Sequence, residues 1–179
     1  MRPWPFIVGG IMGLAAALYK APEIRQALST VGPSWDNLHP EVQRRALAVM
    51  DEAKAEGLDV GIYEAWRDPA TQQKHIASGA SFVTDALSSY HVWGLAVDFV
   101  FLTPLGRWTW LDQDQNDSNH DDARWFQLGE IIERNGFEWG GRWKQRDMPH
   151  AQLPLVRVAG LKANYADPMN YIDTWREAA

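Results

Sequence analysis

Ser89-Tyr90-His91-Val92-Trp93-Gly94-Leu95-Ala96-Val97-Asp98, continuing through Phe99 to Leu102, decides how the rest of the chain is read. Leu95 to Leu102 is apolar enough for a buried strand. On such a strand Leu95, Val97 and Phe99 face one side, and Ala96, Asp98 and Val100 face the other. A carboxylate inside so apolar a strand is costly unless something pairs with it, and a metal ion is one such partner. His91 stands just before the strand, where a loop can fold its imidazole back. Gly94 permits the turn between them, and Ala96 leaves space beneath the site.

Two donors are not a site. Asp147-Met148-Pro149-His150, far downstream, offers a histidine three positions after a carboxylate, with proline stiffening the segment between. His91, Asp98 and His150 together give three protein ligands and leave a fourth tetrahedral position for water, the pattern of a catalytic rather than a structural zinc. The chain has no cysteine, so disulfides and thiolate-held zinc are excluded and any metal must rest on His and carboxylate.

Around this segment the 179 residues fit one domain. Asn37 to Gly57 reads as a helix, with Pro40 in its first turn and a stripe of Val42, Ala46, Val49 and Ala53. Leu58 to Trp66 reads as a strand. Asp68-Pro69 opens a second helix running to about Ser78, with Gly79 beyond it. Asp121 to Asn135 has helical spacing through Trp125, Leu128 and Ile132. Phe137 to Trp139 and Ala151 to Leu153 are further short strands. Helices alternating with short strands, without repeats, imply an α+β domain around a small sheet.

The net charge of -6 with 22% charged residues supplies no basic face for phosphates, so nucleic acid is not an expected partner. Ten tryptophans are unusual; a mixture of core filling and groove lining is the expectation. Pro3 to Tyr19 carries no charge and as a helix reaches roughly 25 Å, the low end for a bilayer span. Residues 1–20 therefore read as a cleaved export signal, a weak signal anchor in transient contact with the membrane, or a buried helix of the domain; a membrane or export role is preferred, leaving 21–179 as the folded domain. The loop Asp112 to Asp122 opens like a calcium-binding loop, but Asp117 replaces the needed glycine and Ala123 the closing glutamate, so a solvated acidic loop is the better reading. His39, His75 and His120 read as structural or solvated histidines.

The pattern S-x-H-x-x-G-x-A-x-D at Ser89 to Asp98, W-G-G-x-W at Trp139 to Trp143 and D-x-P-H at Asp147 to His150 resembles the VanY-like zinc D,D-carboxypeptidase and L-alanyl-D-glutamate endopeptidase family. That family includes bacteriophage endolysins, and its zinc-site fold is shared more distantly with hedgehog signalling domains. Trp66-Arg67 with Gln72 is similar to the family's arginine-and-glutamine segment, and the likeness covers roughly residues 37 to 153. The resemblance implies a small antiparallel sheet flanked by helices and one zinc ion per chain on His91, Asp98 and His150. It further implies that Asp147 takes a proton from the attacking water and passes it to the leaving amine. Arg67 would stabilise the oxyanion or hold a substrate carboxylate, and Ser89, Gln72 and Trp143 would line the substrate site. Bland readings stand beside these: Asp147 as a turn former next to Pro149, and Arg67 as the partner of a nearby acid. Ala151 departs from the aromatic residue many members carry after the last histidine, which puts the detail of the pocket in question.

The implied activity is hydrolysis of the L-Ala–D-Glu bond of bacterial peptidoglycan by a monomeric, phage-type endolysin. It would act at the cell envelope, exported or tethered through residues 1–20, or held in the cytoplasm until lysis if that segment is no export signal. Removal of terminal D-alanine, as in a D,D-carboxypeptidase, is the chemical rival. A non-catalytic zinc module that binds the wall is the rival from another class.

Overall fold

The computed structural model describes residues 35–110, 123–154 and 157–177. Residues 1–20 and the acidic loop 112–122, with His120, lie outside them. Among the described residues no helix is long and apolar enough to cross a membrane.

Helix α1, Pro40–Ala55, starts where His39 Nδ1 accepts the Glu41 amide and Pro40 presets the first turn. Its stripe of Val42, Ala46, Val49 and Ala53 is completely buried. Strand β1, Val60–Glu64, leads through the Asp68 cap into α2, Pro69–Ala77. Two short 3-10 turns, Ala86–Ser88 and Tyr90–Trp93, precede β2, Ala96–Leu102. A tight turn carries β2 back into the two-residue β3, Trp108–Thr109. Helix α3, Ala123–Arg134, buries Trp125, Leu128, Ile131 and Ile132. Then come β4, Glu138–Trp139, a 3-10 turn at Gly140–Arg142, and β5, His150–Gln152.

The strands form one antiparallel sheet in the order β1-β2-β5-β4, with β3 paired to the end of β2. This is the small antiparallel sheet flanked by helices that the pattern implies. Leu95, Val97, Phe99 and Phe101 point into the core with α1 and α3 residues, leaving Asp98 on the other face. The alternation read from the sequence is the one the strand adopts.

Two local irregularities matter for the site. Gly94 has φ +67°, and a Cβ there would sit 2.2 Å from the Asn37 carbonyl oxygen. The turn before β2 is thereby pressed against the start of α1, where the His39 amide donates to the Gly94 carbonyl at 2.8 Å. Between β1 and β2, Ile62 pairs with Phe99 but Glu64 pairs with Asp98. Tyr63 is the extra residue of a bulge, and its side chain is 43% exposed.

The C-terminal helices α4, Val158–Asn164, and α5, Pro168–Arg176, are not foreseen from the sequence above. Asp167-Pro168 carries the same cap-and-proline start as Asp68-Pro69, and Asp167 accepts the Met169 amide. Ile172 of α5 is fully buried, and Arg176 donates to the Asn37 side chain at 2.6 Å.

Candidate active site

Asp98 of β2 stands opposite His150 of β5 in the antiparallel register, and directly opposed residues project from the same face of a sheet. His91 reaches that face from the 3-10 turn before β2. The three side chains converge: His150 Nδ1 lies 3.1 Å from Asp98 Oδ1 and 3.2 Å from His91 Nε2, and His91 Nε2 lies 3.3 Å from Asp98 Oδ1. These atoms form a cluster able to hold a metal ion. Ligands about 2.0–2.2 Å from a tetrahedral zinc stand roughly 3.3 Å apart from one another. The triangle therefore fits zinc in size as well as in donor chemistry.

Each imidazole is oriented by its other nitrogen. His91 Nδ1 donates to the Ala65 carbonyl at 2.7 Å, which leaves Nε2 as the free lone pair. His150 Nε2 faces Gln152 Oε1 at 3.1 Å, which leaves Nδ1 free. Gln152 is itself held, because its amide nitrogen donates to Glu138 Oε2 at 3.2 Å. Such partners fix tautomer and ring direction before a metal arrives. Trp143 completes this wall: its indole donates to Glu138 Oε1 at 2.7 Å, and its ring lies 5.1 Å from that of His150.

The glycines of the W-G-G segment explain how β4 and the Asp147–His150 segment come together. Trp139 is buried and its indole donates to the Met148 carbonyl at 2.8 Å. A Cβ on Gly140 would meet the Asp147 carbonyl oxygen at 2.6 Å and His150 Cβ at 3.2 Å. The backbone at Gly140 thus passes directly behind Asp147 and His150, and the Asp147 amide donates to its carbonyl at 3.1 Å.

The cluster opens into a cleft of about 590 Å³, which Asp147, Arg67, Ser89 and Trp143 also line. Burial, and then the Asp98 carboxylate, push the Asp147 carboxyl above the usual carboxylate range, against the opposing pull of His150, His91 and Arg67. Burial would also push Asp98 up, but the facing imidazoles outweigh it and hold that carboxyl far below its ordinary range. His150 is raised: burial works against its charged form, and the Asp98 carboxylate more than compensates.

Arg67 is clamped. Its guanidinium meets Glu64 in two parallel hydrogen bonds, donates to Gln72 Oε1, and stands 4.0 Å from Asp98 Oδ2. Gln72 is 0% exposed and spends its amide nitrogen on Ser81 Oγ at 2.8 Å. The structure therefore places Gln72 behind the cleft wall, as a support for Arg67, and not on the substrate side. Glu64, Glu138 and Gln152 were not singled out from the sequence. Glu64 three residues before Arg67, and Gln152 two residues after His150 on one strand face, are the signals that were there to be read. His75, read as structural or solvated, is among the residues lining the cleft, and His39 caps α1.

A family model described as D-alanyl-D-alanine carboxypeptidase matches residues 83–153. The peptidoglycan L-alanyl-D-glutamate endopeptidase of Bacillus subtilis (strain 168) is 36% identical over 128 residues, covering 68% of this chain and 76% of that protein. An L-alanyl-D-glutamate peptidase of Listeria phage A118 is 31% identical over 129 residues, which are 72% of this chain but 41% of the phage protein. Among solved structures, an L-Ala D-Glu endopeptidase of Serratia marcescens matches with a TM-score of 0.52 at 25% identity, covering 69% of this chain and 85% of that one. With more than a third of its residues shared across three quarters of the Bacillus enzyme, the chain belongs to the zinc metallopeptidase family of D-alanyl-D-alanine carboxypeptidases and peptidoglycan L-alanyl-D-glutamate endopeptidases.

Proposed function

We propose that this chain is a zinc-dependent endopeptidase that hydrolyses the L-Ala–D-Glu bond of peptidoglycan stem peptides. The observation that carries the reading is the open triangle of His91, Asp98 and His150 on the floor of a cleft that Asp147 also lines. Zinc held on those three side chains would polarise the scissile carbonyl and make water acidic enough to attack near neutral pH. Asp147, which lines the same cleft, takes the proton of the attacking water and returns it to the leaving amine. Arg67, held rigid by Glu64 and Gln72, presents a fixed positive charge to the oxyanion or to a substrate carboxylate. Ser89 and Trp143 contribute the flanking walls for the peptide.

The likeness to the phage peptidase favours an endolysin role in host lysis. Residues 1–20, as an export signal or anchor, would deliver the domain to the envelope. Digestion of purified peptidoglycan, followed by mass spectrometry of the products, tests the bond assignment. New D-glutamate N-termini, with L-alanine left on the glycan, support it; free D-alanine would replace it with the carboxypeptidase reading. A zinc-loaded protein that releases nothing from any peptidoglycan would leave a wall-binding module.

A further inference from the structure

Three clustered aromatic rings, two of which line the cleft, have no part in the chemistry above. Tyr63 is 43% exposed, Trp108 49% and Trp110 37%. The Tyr63 ring stands 5.2 Å from Trp108 and 4.9 Å from Trp110, edge to face with both. Different devices bring them out: the bulge in β1 for Tyr63, and the return strand β3 and its exit for the tryptophans. Exposed aromatic clusters of this kind mark interaction surfaces more often than chance leaves them bare. Tyr63 and Trp110 line the same cleft as His91, Asp98 and His150, so the cluster is continuous with the candidate active site.

We propose that Tyr63, Trp108 and Trp110 form a platform for the N-acetylated sugars of the glycan strand. The proposal rests on the L-Ala–D-Glu reading, because L-alanine is the residue that joins the stem to the sugar. One residue, about 3.6 Å of extended chain, and a short lactyl link separate the scissile bond from the ring. With this bond held in the cleft, the sugar lies within reach of the surfaces that line it. The three rings carry no formal charge and so offer no ion-pairing partner to the D-glutamate carboxylate. A pyranose presents a face of polarised C–H groups, which suits the negative face of an aromatic ring. The Tyr hydroxyl and Trp N–H groups can serve the hydroxyl and acetamido groups at the edge of the sugar.

The test uses the full-length, zinc-loaded protein and two probes. Peptide-free glycan strands of alternating N-acetylglucosamine and N-acetylmuramic acid are titrated while tryptophan fluorescence is followed. Hydrolysis of a glycan-linked stem is then compared with hydrolysis of the free stem peptide. Binding of the stripped strands, weakened about tenfold in Trp108→Ala and restored in Trp108→Phe, is the expected result. The preference for the glycan-linked stem should fall by a similar factor in Trp108→Ala, through KM rather than kcat. Cleavage at L-Ala–D-Glu with no binding of stripped strands overturns the platform and leaves the peptidase reading intact. Binding of stripped strands without hydrolysis of either substrate does the reverse. A self-associating protein that Trp108→Ala disperses would assign the face to a second copy and overturn the proposal. Since Trp108 is half exposed, its truncation leaves the core whole, and circular dichroism of the variant checks this.

Discussion

Asp147 illustrates how a single side chain can be set against the stability of its own fold. Its carboxyl is pushed up by burial and by Asp98, so the native state holds the proton more tightly than the unfolded chain does. Stability associated with that proton is present at low pH and is lost as pH rises through the raised native value. Once that proton is lost, the metal-free protein holds a buried negative charge close to Asp98. Asp147→Asn should raise the melting temperature of the metal-free protein by a few degrees at neutral pH, and the gain should shrink in acid. The same change should lower hydrolysis by at least about a hundredfold. Thermal scans at two pH values, beside an activity assay, would show it; a variant that melts earlier at neutral pH would contradict the electrostatic account. At this scale the sequence was informative where chemistry is dense. The His91, Asp98 and His150 donors were legible because an aspartate in an apolar strand demands a partner. Gln72 was not, since its burial behind Arg67 depends on how α2 packs.

At the scale of elements, the turn that ends at Gly94 joins function to fold. It sets His91 over the sheet and rests on the first turn of α1. Any side chain at position 94 meets the Asn37 carbonyl and a positive φ together, so Gly94→Ala should cost about 2–4 kcal/mol. Equilibrium urea unfolding measures this, and a loss below roughly 0.5 kcal/mol would mean that the turn relaxes freely. Four of the five strands and the first three helices were legible because their periodicity, caps and prolines agree, whereas the two residues of β3 are too few to show a period. The bulge at Tyr63 was hidden, since nothing in the residues of β1 reveals that β2 skips one of them. Helices α4 and α5 announce themselves only in part: Asp167-Pro168 is as clear a start as Asp68-Pro69, but their apolar stripes are too short to show a helical period.

For the molecule as a whole, the ligands tie distant parts of the chain together. His91 and Asp98 stand at the front of β2, whereas His150 arrives on a three-residue strand after α3. A metal bound at all three stabilises the folded state by its own mass action, about 4 kcal/mol when its free concentration is a thousand times its dissociation constant. Removal by a chelator should lower the melting temperature, and zinc should restore it. The shift should diminish in acid, because His150, whose pKa is raised by Asp98, must lose its proton before it can bind. Calorimetry with and without chelator across pH is the measurement; a melting temperature indifferent to zinc would detach the site from the fold.

The ladder between β1 and β2 counts its rungs as though Tyr63 did not exist: Ile62 meets Phe99, and Glu64 meets the very next residue, Asp98. A chain shortened by that one tyrosine would therefore keep every later neighbour. Glu64 would still stand across from Asp98, and Arg67 would still find its clamp. The deletion should yield a folded protein with a plain, unkinked strand, distinguishable by the amide shifts of residues 60–64. A deletion that folds while leaving every other rung in place would show that the bulge serves to project the Tyr63 ring and not to hold the sheet.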